Sequence, residues 1–208
     1  MEIEMSVDGF VFVDLETSGT SHGTDAIFEL GLALYSRDLE LVEHWQRLLV
    51  TSSTPHDLFR LRTEPQYDFV RDMHETNGLL AELDTKIAET GAENLPDGLG
   101  VYEAEAIDVL TRWGADDTTP LCGSSHRMDR AFLEVAMPKI DALFSYRIID
   151  ASSFWQFALV RRPELAAERY AHARSQMAGE HRVLGDIHNT VNLLRVFDGL
   201  DPVPFPTR

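Results

Sequence analysis

Apolar residues form short β-prone runs near the N-terminus and helically spaced stripes further on, which is typical of an α/β fold. The clearest run covers residues 10–14, where four apolar residues lead into an aspartate after Gly9. Such a run predicts a buried strand. Two more strands are predicted over residues 26–35 and 41–50. In residues 41–50, the alternation of apolar and polar side chains indicates that one face of the strand is solvated.

Most of the remaining chain is predicted to be helical. Residues 51–65 are polar and contain prolines, so we expect a loop there. The proline-rich tail, residues 199–208, cannot be regular and should pack or trail on the surface. Helices are predicted over residues 69–90, 101–113, 129–137, 153–161 and 164–174 and in a final segment after 186, with short strands at Leu121 and 146–150.

These elements predict an open mixed sheet flanked by helices. A chain of 208 residues suits one domain, expected to cover residues 1–208 with its core at about residues 8–198. It contains no apolar run long enough to span a bilayer, so no membrane partner is expected. The single cysteine, Cys122, excludes an internal disulfide and a cysteine-built zinc site, and favours a cytoplasmic location.

The net charge of −17 limits the kinds of nucleic acid that the chain can bind. A protein that tracks long duplexes normally presents a basic face to the phosphates. The acidic excess therefore argues against non-specific duplex binding, but it permits an enzyme that holds a few terminal nucleotides. The charge favours short or single-stranded substrates.

Asp14 and Glu16 are the first candidates for chemistry. Residues two apart on a strand point to the same side, so the two carboxylates lie together at the end of a buried strand. Their repulsion and desolvation favour a cation between them, and oxygen ligands suit Mg²⁺ or Mn²⁺. Other acidic pairs with this spacing occur in the chain, but they lack the preceding apolar strand.

Two later segments add further candidates. Residues 121–133 predict a strand, a turn and a helix with Asp129 near the helix start. Near the C-terminus, His181 and Asp186 precede an apolar stripe at helical spacing. In one ideal helix the two would lie about 140° apart. We therefore expect His181 in the loop or cap and Asp186 in the opening turns, with both facing one site.

The ordered set Asp14, Glu16, Asp129, His181 and Asp186 resembles the DEDDh exonucleases, a branch of the ribonuclease H-like fold. Within that family the chain is more similar to oligoribonuclease than to proofreading subunits. Further matching segments are residues 73–79, Met137-Pro138, 142–152 and 161–164.

The resemblance implies hydrolysis of the terminal phosphodiester from the 3′ end, with release of nucleoside monophosphates. Asp14, Glu16 and Asp186 would hold two divalent ions, and Asp129 would complete the cluster directly or through water. His181 would take the proton from the attacking water, because an imidazole titrates near neutrality.

The resemblance also implies a substrate site and a homodimer. The substrate would be short single-stranded nucleic acid, with RNA favoured. Tyr146 and Arg147 would serve the active site across the dimer interface. The other positions assigned to substrate are Ser125 and His74 at phosphate, Phe69 stacked on a base, and Thr17 and Thr20 of the first motif.

Two departures from the oligoribonuclease pattern keep alternative functions open. Thr20 replaces the leucine that wedges between the two bases of a dinucleotide, and Met128 replaces a glutamine that caps the 5′ phosphate. One alternative is a proofreading-type exonuclease on single-stranded DNA ends, and another is a catalytically silent nucleic-acid-binding module.

Four other histidines are expected at the surface. We expect His126 in an exposed turn, and His188, His172 and His44 on the solvated faces of their elements.

Overall fold

Five strands form a single open sheet in a computed structural model that describes residues 7–179 and 181–206. They are β1 (Phe10–Thr17), β2 (Ile27–Tyr35), β3 (Leu41–Leu48), β4 (Leu121–Gly123) and β5 (Ile148–Asp150). Their order is β3-β2-β1-β4-β5, with antiparallel pairing among β1, β2 and β3 and parallel pairing of β4 with β1 and β5. The predicted mixed sheet is confirmed. The ends of the predicted domain and tail, residues 1–6 and 207–208, lie outside the described residues.

Nine α-helices flank the sheet in the described ranges. Short 3₁₀ turns lie at Pro65–Tyr67 and Ala92–Asn94. No helix of the described part is long and apolar enough to cross a membrane. The helices are α1 (Thr54–Thr63), α2 (Asp68–Thr76), α3 (Leu79–Thr90), α4 (Gly100–Arg112), α5 (Arg127–Ala136), α6 (Pro138–Asp141), α7 (Ala151–Arg161), α8 (Pro163–Arg174) and α9 (Val183–Phe197).

Strand β1 separates two cores because its side chains alternate between the faces of the sheet. Val11, Val13 and Leu15 pack in the larger core, which also contains residues of α4 and α5. Phe12 points the other way and packs with Ile187 of α9. The same alternation directs Asp14 and Glu16 toward the α9 face.

The expectation of a loop over residues 51–65 is wrong, because α1 occupies most of that segment. Pro55 lies in the first turn, where its missing N–H removes no helical hydrogen bond. Leu58 and Leu61, three residues apart, are buried with Phe28 in a third core, distinct from the two on either side of β1.

The single helix expected over residues 69–90 is divided between α2 and α3. Gly78 separates them with a φ of 84°, a left-handed conformation that glycine adopts without steric cost. Asn77 accompanies this break, and its carboxamide oxygen accepts from the backbone N–H of Leu79 at 2.9 Å.

The tail packs against α9. The backbone N–H of Val203 donates to the Asn192 side chain at 2.9 Å, and the Asn192 amide donates back to the Val203 carbonyl at 2.9 Å. His188 is buried beside this contact, with Nε2 3.0 Å from the same carbonyl oxygen. The expectation of a surface position for His188 is therefore wrong, because the tail covers it.

Candidate active site

Three carboxylates meet where the end of β1 approaches the start of α9. Oxygens of Asp14, Glu16 and Asp186 all lie within 4.8 Å of one another. Gly31 lies opposite Asp14 in the β1–β2 pairing, and a Cβ added there would be 2.6 Å from Cβ of Val183. The absence of a side chain at Gly31 therefore lets α9 bring Asp186 against the strand.

This crowding raises the pKa values of the strand carboxylates. Burial raises the pKa of Asp14 well above its ordinary value, and the charges of Asp129 and Asp186 raise it further. Burial followed by the charge of Asp186 raises the pKa of Glu16 to about 8. A bound cation would offset this repulsion, and an all-oxygen donor set suits a hard divalent metal ion. The three carboxylates therefore fit the metal-binding role expected for this family.

Asp129 lies beside the three carboxylates and is oriented by the backbone of β1. Its Oδ1 accepts from the N–H of Leu15 at 3.2 Å. Its Oδ2 lies 3.5 Å from Nδ1 of His126. The expected exposed position of His126 is wrong, since the ring is buried in the space that a Cβ on Gly123 would need.

His181 lies in the exposed loop before α9, and Asp186 lies in the first turn of that helix, as predicted. The His181 backbone has a φ of 64°, and its N–H donates to Oδ2 of Asp186 at 2.9 Å. The side-chain amide of Asn77 donates to the His181 carbonyl. The peptide units on both sides of His181 are thus anchored, one to a metal-cluster residue and the other to the end of α2.

His74 lies behind the cluster and is completely buried. Its Nε2 lies 2.9 Å from the Thr17 carbonyl oxygen, and its Nδ1 lies 3.9 Å from Oε2 of Glu16. Burial lowers the pKa of His74, which favours the neutral ring. Thr17 is also buried, and its hydroxyl donates to the Gly19 carbonyl at 2.6 Å. The substrate contacts assigned to His74 and Thr17 stay predictions. In the structure both side chains bond to backbone carbonyl groups of the first motif.

Several other candidate substrate residues are exposed. Phe69 on α2 has 79% of its surface exposed, unusually high for a phenylalanine, and Thr20 and Ser125 also face solvent. Tyr146 is 78% exposed, and the Arg147 guanidinium lies 4.5 Å from its ring centre. These two residues come just before β5 rather than within it, at the outer edge of the sheet.

Asp150 joins the loop after β4 to the start of α7. Its Oδ1 accepts from the N–H groups of Ser125 at 3.0 Å and Ser152 at 2.8 Å. Its Oδ2 accepts from the N–H of His126 at 3.2 Å. Burial opposes ionisation, but these hydrogen bonds and that of the Ser152 hydroxyl lower the pKa of Asp150. A charged carboxylate thus fixes the backbone just before Asp129.

Sequence reasoning missed Glu29 and Arg182, which lie directly beside the cluster. Glu29 is the cross-strand partner of Glu16, only 1% exposed, and bound by the Arg182 guanidinium. A lone acidic residue within the apolar strand of residues 27–34 was the signal that could have identified it.

Comparison with known proteins assigns the chain to a family. The RNase_T family, described as exonucleases, matches residues 85–194, which include Asp129, His181 and Asp186. An oligoribonuclease from Streptomyces coelicolor is 30% identical over 204 residues, covering 96% of this chain and 90% of the relative. One from Leifsonia xyli subsp. xyli is 29% identical over 192 residues, covering 91% of this chain and 82% of the relative.

Solved structures of exonuclease I share the fold. A complex of the Escherichia coli enzyme with an oligonucleotide superposes with a TM-score of 0.56 at 14% identity, covering 94% of this chain. A product-bound exonuclease I gives a TM-score of 0.57 at 13% identity, covering 93% of this chain. The chain spans only 41% and 44% of those two proteins, and the likeness confirms the ribonuclease H-like fold. By sequence and fold, the chain belongs to the RNase_T family of exonucleases, and within it to the oligoribonucleases.

Proposed function

We propose that the chain hydrolyses the 3′-terminal phosphodiester of short RNA and releases nucleoside monophosphates one at a time. The observation that carries this proposal is the convergence of Asp14, Glu16 and Asp186, whose oxygens lie within 4.8 Å of one another. Membership of an exonuclease family and relatives named oligoribonuclease support the reaction and the RNA substrate.

Asp14, Glu16 and Asp186 would hold two divalent ions, Mg²⁺ or Mn²⁺, with Asp129 completing the site. When bound, such ions acidify a water and stabilise charge on the phosphate and the leaving 3′ oxygen. Asp129 is oriented for this role by Leu15, whose N–H occupies Oδ1 of the carboxylate. The buried and repelling carboxylates of Asp14 and Glu16 supply the affinity for cations.

His181 would act as the general base. Its imidazole nitrogen would accept a proton from the attacking water as the water oxygen bonds to phosphorus and the bond to the 3′ oxygen breaks. The exposed loop position lets the ring reach a substrate phosphate, while hydrogen bonds to Asp186 and from Asn77 hold its backbone.

The terminal nucleotides would lie over the exposed side of this site. Phe69 would stack on a base, since its ring is almost entirely exposed on α2. Ser125 would act at the phosphate and Thr20 along the first motif, whereas the buried His74 and Thr17 would act through the backbone of that motif. The net charge of −17 supports short single-stranded substrates over long duplexes, because a long polyanion would be repelled.

A homodimer would complete the site. Strand β5 lies at the edge of the sheet, and Phe154, Phe157 and Val160 of the adjoining α7 are 52%, 68% and 86% exposed. Such a large exposed apolar surface on one helix face favours burial against a second copy of the same chain. Tyr146 and Arg147 precede β5, so this interface would carry them toward the partner's substrate.

We also propose that the enzyme acts in the cytoplasm. Its one thiol, Cys122, is free and buried on β4. A protein stabilised without disulfides suits a reducing compartment.

The decisive experiment uses 5′-labelled RNA of two, five and twenty nucleotides and matching DNA, each with Mn²⁺ or with EDTA. The proposal expects metal-dependent shortening from the 3′ end, fastest on short RNA. An Asp14→Asn variant is the inactive control. Faster cleavage of DNA, or of long strands, would contradict the proposal. It would favour a general single-strand exonuclease in which Thr20 and Met128, unlike the usual leucine and glutamine, do not limit the substrate to dinucleotides.

A further inference from the structure

Arg182 follows His181 directly, and its guanidinium binds two carboxylates from different elements. Nε and Nη2 donate to Oε2 and Oε1 of Glu29 on β2, each at 3.0 Å. Nη1 and Nη2 donate to Oε1 and Oε2 of Glu82 on α3, each at 2.8 Å. Four charge-assisted hydrogen bonds in two bidentate pairs fix both the position and the plane of the group.

This arrangement ties residue 182 to the scaffold of the active site. Glu29 is almost fully buried and lies opposite Glu16 in the β1–β2 pairing. The Arg182 side chain is therefore held against the strand pair that carries the metal-binding carboxylates. Glu82 holds the other side of the guanidinium from α3, the helix that follows Asn77.

His181 needs such an anchor because its own backbone is strained. Its φ of 64° is left-handed, a conformation in which the Cβ of a residue other than glycine crowds the following carbonyl oxygen. The anchors of His181 are its N–H bond to Asp186, the Asn77 bond to its carbonyl, and the side chain of the next residue. Without the last of these, the loop could relax toward an ordinary conformation and move the imidazole.

We propose that Arg182 is a positioning residue for the proposed general base: its double carboxylate clamp, Glu29–Arg182–Glu82, holds His181 in the conformation that reaches the substrate. The inference rests on the proposed function, because it concerns the rate of the proton transfer assigned to His181. It assigns Glu82, which is far along the chain from every catalytic residue, a role in turnover.

Glu82 is the member of the clamp whose removal tests this role cleanly. Loss of Arg182 would leave the buried Glu29 carboxylate unpaired beside Glu16, and loss of Glu29 would change the charge next to the metal-binding carboxylates, so either would disturb metal binding as well. Glu82 is half-exposed, with 49% of its side chain in solvent, and an exposed ion pair contributes little to stability. Asp84 offers a matched control on the same helix, since it is 52% exposed and bonded to Arg62.

The test compares Glu82→Ala with Asp84→Ala under single-turnover conditions with labelled dinucleotide RNA and Mn²⁺. We expect Glu82→Ala to lower the cleavage rate about tenfold, since small displacements of a catalytic group have effects of this size or larger. Half-saturating RNA and Mn²⁺ concentrations should stay unchanged, and Asp84→Ala should match the wild type. An Arg182→Lys variant keeps the positive charge but loses the planar fork of donors. It should also cleave the dinucleotide more slowly than the wild type.

A double-mutant cycle then shows whether the effect passes through His181. Glu82→Ala should slow the wild type but cause no further loss in a His181→Ala background. An equal loss in both backgrounds overturns the inference, as does a rate equal to that of Asp84→Ala. An inactive wild type would instead contradict the proposed function, so the two failures are distinguishable.

Discussion

Gly31 lies directly opposite Asp14 across the β1–β2 pair, and its missing side chain makes room for the start of α9. The carboxylate cluster therefore depends on a position that contributes no ligand. Val183, the first residue of α9, occupies the space that a side chain at Gly31 would need.

Gly31→Ala should separate Asp186 from the strand carboxylates. The added Cβ would lie 2.6 Å from Cβ of Val183, so α9 must shift outward. We expect a loss of about 1–3 kcal/mol in the free energy of unfolding, as for overpacked cores, together with weaker Mn²⁺ binding. Urea denaturation and calorimetric titration measure the two effects. Gly98→Ala is the control, because a Cβ there meets nothing within 4 Å; equal behaviour of the two variants would contradict the steric argument.

His181→Ala should lower kcat by about 10²–10⁴-fold, the usual contribution of a general base. Mn²⁺ affinity should change little, because the group that bonds to Asp186 is the backbone N–H of His181. Rates with dinucleotide RNA and titration with Mn²⁺ separate chemistry from metal binding. His56→Ala, at an exposed position on α1, serves as the control. Full activity in His181→Ala would remove this residue from the mechanism.

The metal-free protein should become less stable as pH rises from about 6.5 to about 8, because below that range the lowered pKa values of His74 and His188 act in the opposite direction. Folded Glu16 keeps its proton until about pH 8, whereas its ordinary pKa is 4.5. The folded state therefore binds more protons than the unfolded chain in this window, and stability falls as pH increases. Asp14, whose pKa is also raised, acts in the same direction.

Thermal unfolding at several pH values, with EDTA or with excess Mg²⁺, measures this dependence. Mg²⁺ should raise Tm most at the upper end of the window, where the carboxylates are charged and repel one another. Glu16→Gln should flatten the pH dependence in EDTA. A metal-free Tm that rises from pH 6.5 to 8 would contradict this prediction.

Phe157→Glu should convert a dimer into a monomer. The ring is 68% exposed on α7, and a buried carboxylate in an apolar interface is strongly unfavourable. Light scattering measures the mass of each variant in solution, and Phe59→Glu, at a similarly exposed ring on α1, is the control. A monomeric wild type would refute the proposed interface.

Local patterns predicted the parts of the site that lie close in sequence. The alternation of a strand is enough to place Asp14 and Glu16 on one side, and the apolar stripe after Asp186 is enough to start a helix there. The joining of these two segments came from the resemblance to a family. The loop predicted over residues 51–65 is wrong because proline interrupts a helix only in its interior. Pro55 lies in the first turn of α1, where proline is compatible with the helix.

The clamp around Arg182 was beyond local reasoning. Arg182 and Glu29 are 153 positions apart, and their contact depends on the register of β2 and the approach of α9. The buried position of His188 has the same origin, since the tail that covers it follows no periodic pattern.

The hydrogen bonds of Asp150 connect the start of α7 to the loop before Asp129. One carboxylate caps α7, which carries the exposed apolar face, and also holds the N–H groups of Ser125 and His126. In the proposed dimer, any displacement of α7 would therefore be transmitted through this one side chain to the loop that leads into Asp129. One side chain thus links the proposed dimer face to the loop that carries the proposed metal-site residue Asp129.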